Sequence, residues 1–214
     1  IIFMQCGPVR FSADAKVQMA SQTFARLLVP RFTFYRELAD EKSTYARMVQ
    51  KMSEDVNRNR LITDDVCEAL KEGRTPIVLT GLTAHVETLA KALAPHCKHV
   101  VTLVGSEPTK EKLRRMEYLQ NVNPSEPLVI VATGKYVGEG FDYPRLDTLF
   151  LALPVSWKGI VAQYAGRLHR EYTGKKEVRI YDYIDIRMPM CDVMYRRRLK
   201  GYASVGYRIK QEKP

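Results

Sequence analysis

The feature that most restricts the fold is a series of short apolar runs, each ending in small or polar residues and followed by an amphipathic stretch. Ile77-Val78-Leu79-Thr80, Val100-Val101-Thr102-Leu103-Val104 and Val129-Ile130-Val131-Ala132 are the first three. Residues 148–153 and 178–184 continue the series. Runs with no polar alternation belong to strands covered on both faces. Between them, residues 85–93, 110–119 and 160–168 carry apolar side chains at helical spacing. Strands alternating with helices imply right-handed crossovers, a parallel sheet with helices on both faces, and a working edge at the strand C-termini. The chain is therefore α/β, with no internal repeat and no low-complexity tract.

Before this pattern stands different material. Residues 1–36 read as a connecting segment, in which Arg31-Phe32-Thr33-Phe34-Tyr35 alternates as a strand would. Residues 40–73 read as a pair of helices. Tyr45, Met48, Val49 and Met52 share one face, and Leu61, Ile62, Val66, Ala69 and Leu70 another. Thr63 or Asp64 is available as a cap and Gly73 as a stop. After the last strand, residues 190–200 read as a basic helix ended by Gly201, with a hairpin or loose tail at 202–209.

The chemistry concentrates between residues 128 and 170. The run ending Ala132-Thr133-Gly134 leads into a turn with Gly138-Glu139-Gly140-Phe141-Asp142. A second run ending at Pro154 precedes a helix with Gln163, Gly166, Arg167 and Arg170 on one side. Glycines admit phosphate or ribose against main-chain amides. Asp142 can accept a ribose hydroxyl. Guanidinium groups are permanently charged and fork onto phosphate oxygens. The Thr133 hydroxyl and Lys135 sit at a strand end, where they can hold a nucleic-acid phosphate.

Ala132-Thr133 followed by Gly138-Glu139-Gly140-Phe141-Asp142 resembles motif V of superfamily 2 helicases, and Gln163-x-x-Gly166-Arg167-x-x-Arg170 resembles motif VI, in the right order and at the right separation. The branch nearest in pattern is the DEAD/DEAH group that includes restriction-subunit and repair-type helicases. The resemblance implies a RecA-like domain over residues 37–214. It makes residues 1–36 a connection from a first motor domain, which would hold most of the ATP and its Mg2+. It implies that Arg167 and Arg170 act as catalytic arginine fingers and that Gly138, Gly140, Asp142, Gln163 and Gly166 line the ATP site. Thr80, Gly105, Thr133 and Lys135 would hold nucleic-acid backbone, with His85 and Ser106 as weaker candidates. DNA stands ahead of RNA as the strand held.

Composition supports a polyanionic partner. Lys+Arg 34 against Asp+Glu 24 leaves +10, which favours nucleic acid over an anionic membrane surface. A hydrophobic fraction of 45% suffices for a packed core. No apolar run approaches the roughly 20 residues of a membrane span, and Ile1-Ile2-Phe3-Met4 lacks the basic start of a signal peptide. Cys6, Cys67, Cys97 and Cys191 form no Cys-x-x-Cys pair, which suggests reduced thiols in the cytoplasm. His96-Cys97-Lys98-His99 fits no closed metal site, and Trp157 reads as packing.

Two elements of such a motor are missing. The chain has no Gly-x-x-x-x-Gly-Lys-Ser/Thr and no acidic Asp-Glu-x-Asp/His box. With its abrupt apolar start, it is expected to be part of a longer polypeptide and silent by itself. The alternative is a non-catalytic scaffold, derived from a helicase domain, that binds nucleic acid or a partner protein. A parallel α/β transferase finds no acid/base pair or nucleophile to support it.

Overall fold

A computed structural model describes residues 24–36, 44–105, 107–138, 141–155 and 160–210. Most of the connecting segment (1–23), and with it Gly140, Ser106 and Trp157, lies outside the described residues. In chain order the elements are β1 (Ala25–Phe32), α1 (Tyr45–Glu54), α2 (Val56–Lys71), β2 (Pro76–Thr80), α3 (Thr83–Leu93), β3 (His99–Leu103) and α4 (Thr109–Asn121). They continue with β4 (Leu128–Thr133), α5 (Gly134–Gly138), β5 (Thr148–Leu151), α6 (Ile160–Leu168), β6 (Glu177–Ile184), α7 (Pro189–Ser204) and β7 (Arg208–Ile209).

Among the described residues, seven strands form one parallel sheet in the order β3-β4-β2-β5-β6-β1-β7. The expected doubly covered parallel sheet is present. The apolar runs are strands because they are buried along their whole length: every residue of β2, β4 and β5 is buried. Alternate residues feed two cores. Ile77, Leu79, Ile130, Ala132, Leu149 and Leu151 pack with Leu119, Ala165, Leu168 and Tyr202 of α4, α6 and α7. Val78, Val129, Val131 and Phe150 pack with Ile62, Val66, Val86 and Leu89 of α2 and α3. Crossovers running toward β3 put their helices on the second face, and those running back put theirs on the first. That arrangement keeps every crossover right-handed.

Four local expectations are corrected. Thr63 and Asp64 lie inside α2. The true N-cap is Asp55, whose carboxylate accepts from the Arg58 amide at 2.7 Å. Thr44 caps α1 in the same way. The first strand is Ala25–Phe32 and ends before residues 33–35. It lies within the sheet, paired over eight residues with β6. Helix α7 runs through the buried Gly201 to Ser204, and Gly206 at φ +80° ends it. The tail is not a hairpin: Arg208–Ile209 adds a parallel strand beside β1. Packing outweighs the roughly 1 kcal/mol cost of a glycine inside a helix. Gly73 at φ +74° closes α2 as expected.

Candidate functional site

Parallel pairing brings the C-terminal ends of the strands to one edge, where Thr80 of β2 lies opposite Thr133 of β4. Beyond β3, the Gly105 amide donates to the Thr133 hydroxyl at 3.1 Å. A Cβ on Gly105 would sit 3.3 Å from the Lys135 side chain, so the bare backbone lets Lys135 lie against it. Lys135 itself is exposed. Gly105, Thr133 and Lys135 are thus one cluster. The stretch after β4 is a helical turn, α5, where the sequence suggested an open glycine turn; Gly138 closes it. A Cβ on Gly134 would fall 2.1 Å from the Tyr164 hydroxyl oxygen, so any side chain there would force the Tyr164 ring to shift where α6 presses on α5.

Thr80 behaves differently. Its hydroxyl is buried, accepts from the Leu82 amide at 3.4 Å and bonds His85 Nδ1 at 2.9 Å. His85 Nε2 faces Asn59 Oδ1 at 2.9 Å, and Asn59 Nδ2 donates to the Ser53 carbonyl. Asn59 Oδ1 only accepts, so Nε2 carries the proton and Nδ1 takes the Thr80 hydroxyl proton. Burial first, then the Arg58 charge, pushes His85 down to about 4. The Thr80 hydroxyl and His85 are spent inside the fold, and Gly81 and Thr83 are what this loop exposes.

The second cluster is built on α6. Tyr164, Ala165 and Leu168 face the core. Gln163 and Gly166 are exposed and Arg167 is half-buried on the opposite side. Gly166 has open space where a Cβ would be, so nothing inside the domain requires a glycine there. Arg170, just past the helix, places Nε 3.2 Å from Asp142 Oδ1, with side chains 54% and 44% exposed. The two motif-like segments therefore meet. His169 between the arginines turns inward: Nε2 lies 3.1 Å from the Tyr207 hydroxyl, and burial holds it down to about 4.

Sequence reasoning missed what supports this cluster. Lys175 Nζ donates to the carbonyls of Pro144, Leu146, Leu168 and Arg170 at 2.7–3.0 Å. Residues 152–155, just after β5, are held by three side chains from three helices. Arg58 Nη1 donates to the Ala152 carbonyl at 2.6 Å, the Tyr45 hydroxyl to Pro154 at 2.8 Å, and Arg198 Nη1 to Val155 at 2.9 Å. Each arginine also grips a buried aspartate with two nitrogens, Arg58 to Asp185 and Arg198 to Asp182, and Thr33 hydrogen-bonds Asp185. Arg198 belongs to the stretch 190–200 that reads in the sequence as a basic helix. It is 1% exposed.

The donor set, rich in guanidinium, suits an anion better than a metal ion. Arg170 and an unobstructed Gly166 are exposed, and the carboxylate beside them, Asp142, is already paired with Arg170. Among the described residues no group of three or more His, Cys, Asp or Glu could hold a metal. His99 spends its ring nitrogens on Tyr118 and Glu126. No helix among the described residues is long and apolar enough to cross a membrane, and Cys67, Cys97 and Cys191 are free thiols.

No family model matches the chain. Among curated proteins, it is 28% identical over 137 residues to transcript termination protein A18 of Fowlpox virus, covering 63% of this chain and 29% of that protein. It is 28% identical over 194 residues to putative helicase 161L of Invertebrate iridescent virus 6, covering 80% of this chain and 39% of that protein. The chain thus spans less than half the length of these relatives. Among solved structures, T4 UvsW superposes with a TM-score of 0.69 at 18% identity, over 89% of this chain and 42% of that one. Domain 2 of the DEAD-box helicase Mss116p, solved with an RNA duplex, superposes at 0.55 and 13% identity, over 88% and 65%. The chain shares its fold with these two solved helicase structures.

Proposed function

We propose that this chain is the second motor domain of an ATP-dependent nucleic-acid helicase or translocase. The observation that carries the reading is the exposed face of α6 among its described side chains. It presents Gln163, an unobstructed Gly166 and Arg167, and ends in Arg170 held against Asp142. A first motor domain, in the same polypeptide and joined ahead of β1, would bring ATP and its Mg2+; the nucleotide supplies the reactive phosphoryl group. Two fixed positive charges placed where negative charge builds on the phosphoryl oxygens act as arginine fingers. Asp142 orients Arg170 until phosphate competes for it. Gly138, Gly140 and Gln163 would complete the nucleotide-facing surface.

The strand-end cluster supplies the grip on the strand. Gly105, Thr133 and Lys135 would hold sugar-phosphate backbone, and the β2 loop would contribute Gly81 and Thr83 in place of the occupied Thr80 hydroxyl. Phosphate contacts carry no base information, so binding should be largely sequence-independent and weaken with salt. We take DNA ahead of RNA and a cytoplasmic setting.

The test is ATPase turnover of the parent polypeptide and of this domain alone, with single-stranded DNA, duplex DNA and RNA. A silent domain beside a nucleic-acid-stimulated parent is expected. In the parent, Arg167→Ala should lower kcat roughly 10³-fold while leaving the melting curve in place. Turnover by the isolated domain, or an unchanged Arg167→Ala rate, would remove this reading.

A further inference from the structure

Asp142 and Arg170 sit on two different loops, and their exposed pair is of a kind worth only about 0–1 kcal/mol. It is too weak to align the loops by itself. The alignment comes from beneath. The Lys175 ammonium lies 2.7 Å from the Pro144 carbonyl oxygen and 2.8 Å from that of Leu146, both on the loop that follows Asp142. It lies 3.0 Å from the Leu168 carbonyl and 2.7 Å from that of Arg170, at the exit of α6.

Those exit carbonyls have no partner within the helix, and the negative end of the helix favours a cation. A compact ammonium with three rotatable donors can share itself among four converging oxygens; a planar guanidinium cannot. Gly174 at φ +85° turns the chain back to deliver the side chain, and the Lys175 amide closes the turn onto the Tyr172 carbonyl at 3.1 Å.

We propose that Lys175 is a positioning residue of the motor: by stitching the loop after Asp142 to the exit of α6, it sets Arg170 where it meets the nucleotide. The proposal rests on Arg170 facing phosphate, as argued above. Lys175 touches neither nucleotide nor nucleic acid and acts through Arg170. A small misplacement of a charge aimed at a transition state is costly in rate and leaves the more diffuse contacts of ground-state binding largely intact.

The experiment compares kcat and KM for ATP in the full-length parent polypeptide carrying Lys175→Met, Arg170→Ala, both changes, or neither. Lys175→Met should lower kcat about tenfold or more with KM within about twofold, and should lower it less than about twofold further in the Arg170→Ala background. Lys175→Arg, which keeps the charge but reaches fewer of the carbonyls, should fall between, and it carries the comparison if Lys175→Met melts too low to assay. A Lys175→Met kcat close to wild type overturns the proposal, as does an undiminished loss on top of Arg170→Ala. A wild-type rate in Arg170→Ala itself would instead remove the reading of Arg170, and this proposal with it.

Discussion

Two arginines two residues apart in α7 should behave in opposite ways when removed. Arg196 pairs with Asp192 one helical turn away, with its side chain 75% exposed. Arg198 sits with its partner Asp182 at 2% exposure for each side chain. It donates from Nε at 2.7 Å and from Nη2 at 2.9 Å to the two carboxylate oxygens and caps the Val155 carbonyl. An exposed pair at that helical spacing contributes about 0.3–0.5 kcal/mol. Breaking a buried pair strands an uncompensated charge and costs about 3–5 kcal/mol. For a domain whose whole stability is on the order of 5–15 kcal/mol, Arg198→Ala is close to unfolding it, whereas Arg196→Ala is nearly silent. In thermal melts at about 2–4 °C per kcal/mol, Arg198→Ala should drop Tm by about 6–20 °C and Arg196→Ala by less than about 2 °C. In an Arg198→Met background, Asp182→Asn should recover part of the loss, because the orphaned carboxylate becomes neutral. The residual effect would come from the Val155 carbonyl, which loses the Arg198 donor, since an Asn oxygen can still accept from the Tyr202 hydroxyl. If the two arginines cost the same within about 1 kcal/mol, the buried pair is not what holds this region.

Gly134→Ala should destabilise by roughly 1–3 kcal/mol through overpacking, because its Cβ would lie 2.1 Å from the Tyr164 hydroxyl oxygen. Tyr164→Phe removes that atom and should restore much of the loss in a chemical-denaturation series; no rescue would place the strain elsewhere. Stability should also fall between pH 6.5 and 4. His85 is held down to about 4 in the fold, so across this window the unfolded chain takes up a proton that the native state refuses. The native state keeps its full margin above the unfolded pKa and loses roughly 2–3 kcal/mol as pH drops through the window. His169 is held down to about 4 as well, so His85→Gln should remove about half of the slope in urea unfolding at pH 7 and pH 4.5. An unchanged slope would mean that His85 is protonated in the native state.

Local physics made the sheet legible. Runs such as Val129-Ile130-Val131-Ala132 have no polar face to expose and had to become doubly covered strands. Gln163, Gly166 and Arg167 read as one side of a helix because 3.6-residue spacing depends on nothing outside α6. What escaped was long-range. Nothing near Lys175 in sequence announces four carbonyls from 144 to 170. Arg198 looks like its neighbours Arg196 and Arg197 until β6 brings Asp182 beside it. Thr80 matched the pattern of a strand-end hydroxyl, but His85 and Asn59, brought in by α3 and α2, occupy it. The cap of α2 was missed because Asp55 also ends α1, so the two helices share a boundary that periodicity blurs. Where the arginine fingers and backbone contacts were expected, the fold brings Asp142 to Arg170 and Gly105 to Thr133.

The placement of β1 has a consequence for how the protein is made. Ala25 pairs with Glu177, 177 − 25 = 152 residues later, and β7 pairs on its other side later still. At synthesis rates of about 5–20 residues per second, β1 leaves the ribosome some 8–30 s before either partner strand exists. Strands β2 to β5 can pair among themselves in that interval, while the apolar Leu27-Leu28-Val29 must be kept from wrong partners. A translating ribosome therefore carries an unfinished sheet with an open edge, and this domain should lean on nascent-chain chaperones more than one whose strands pair in the order they are made.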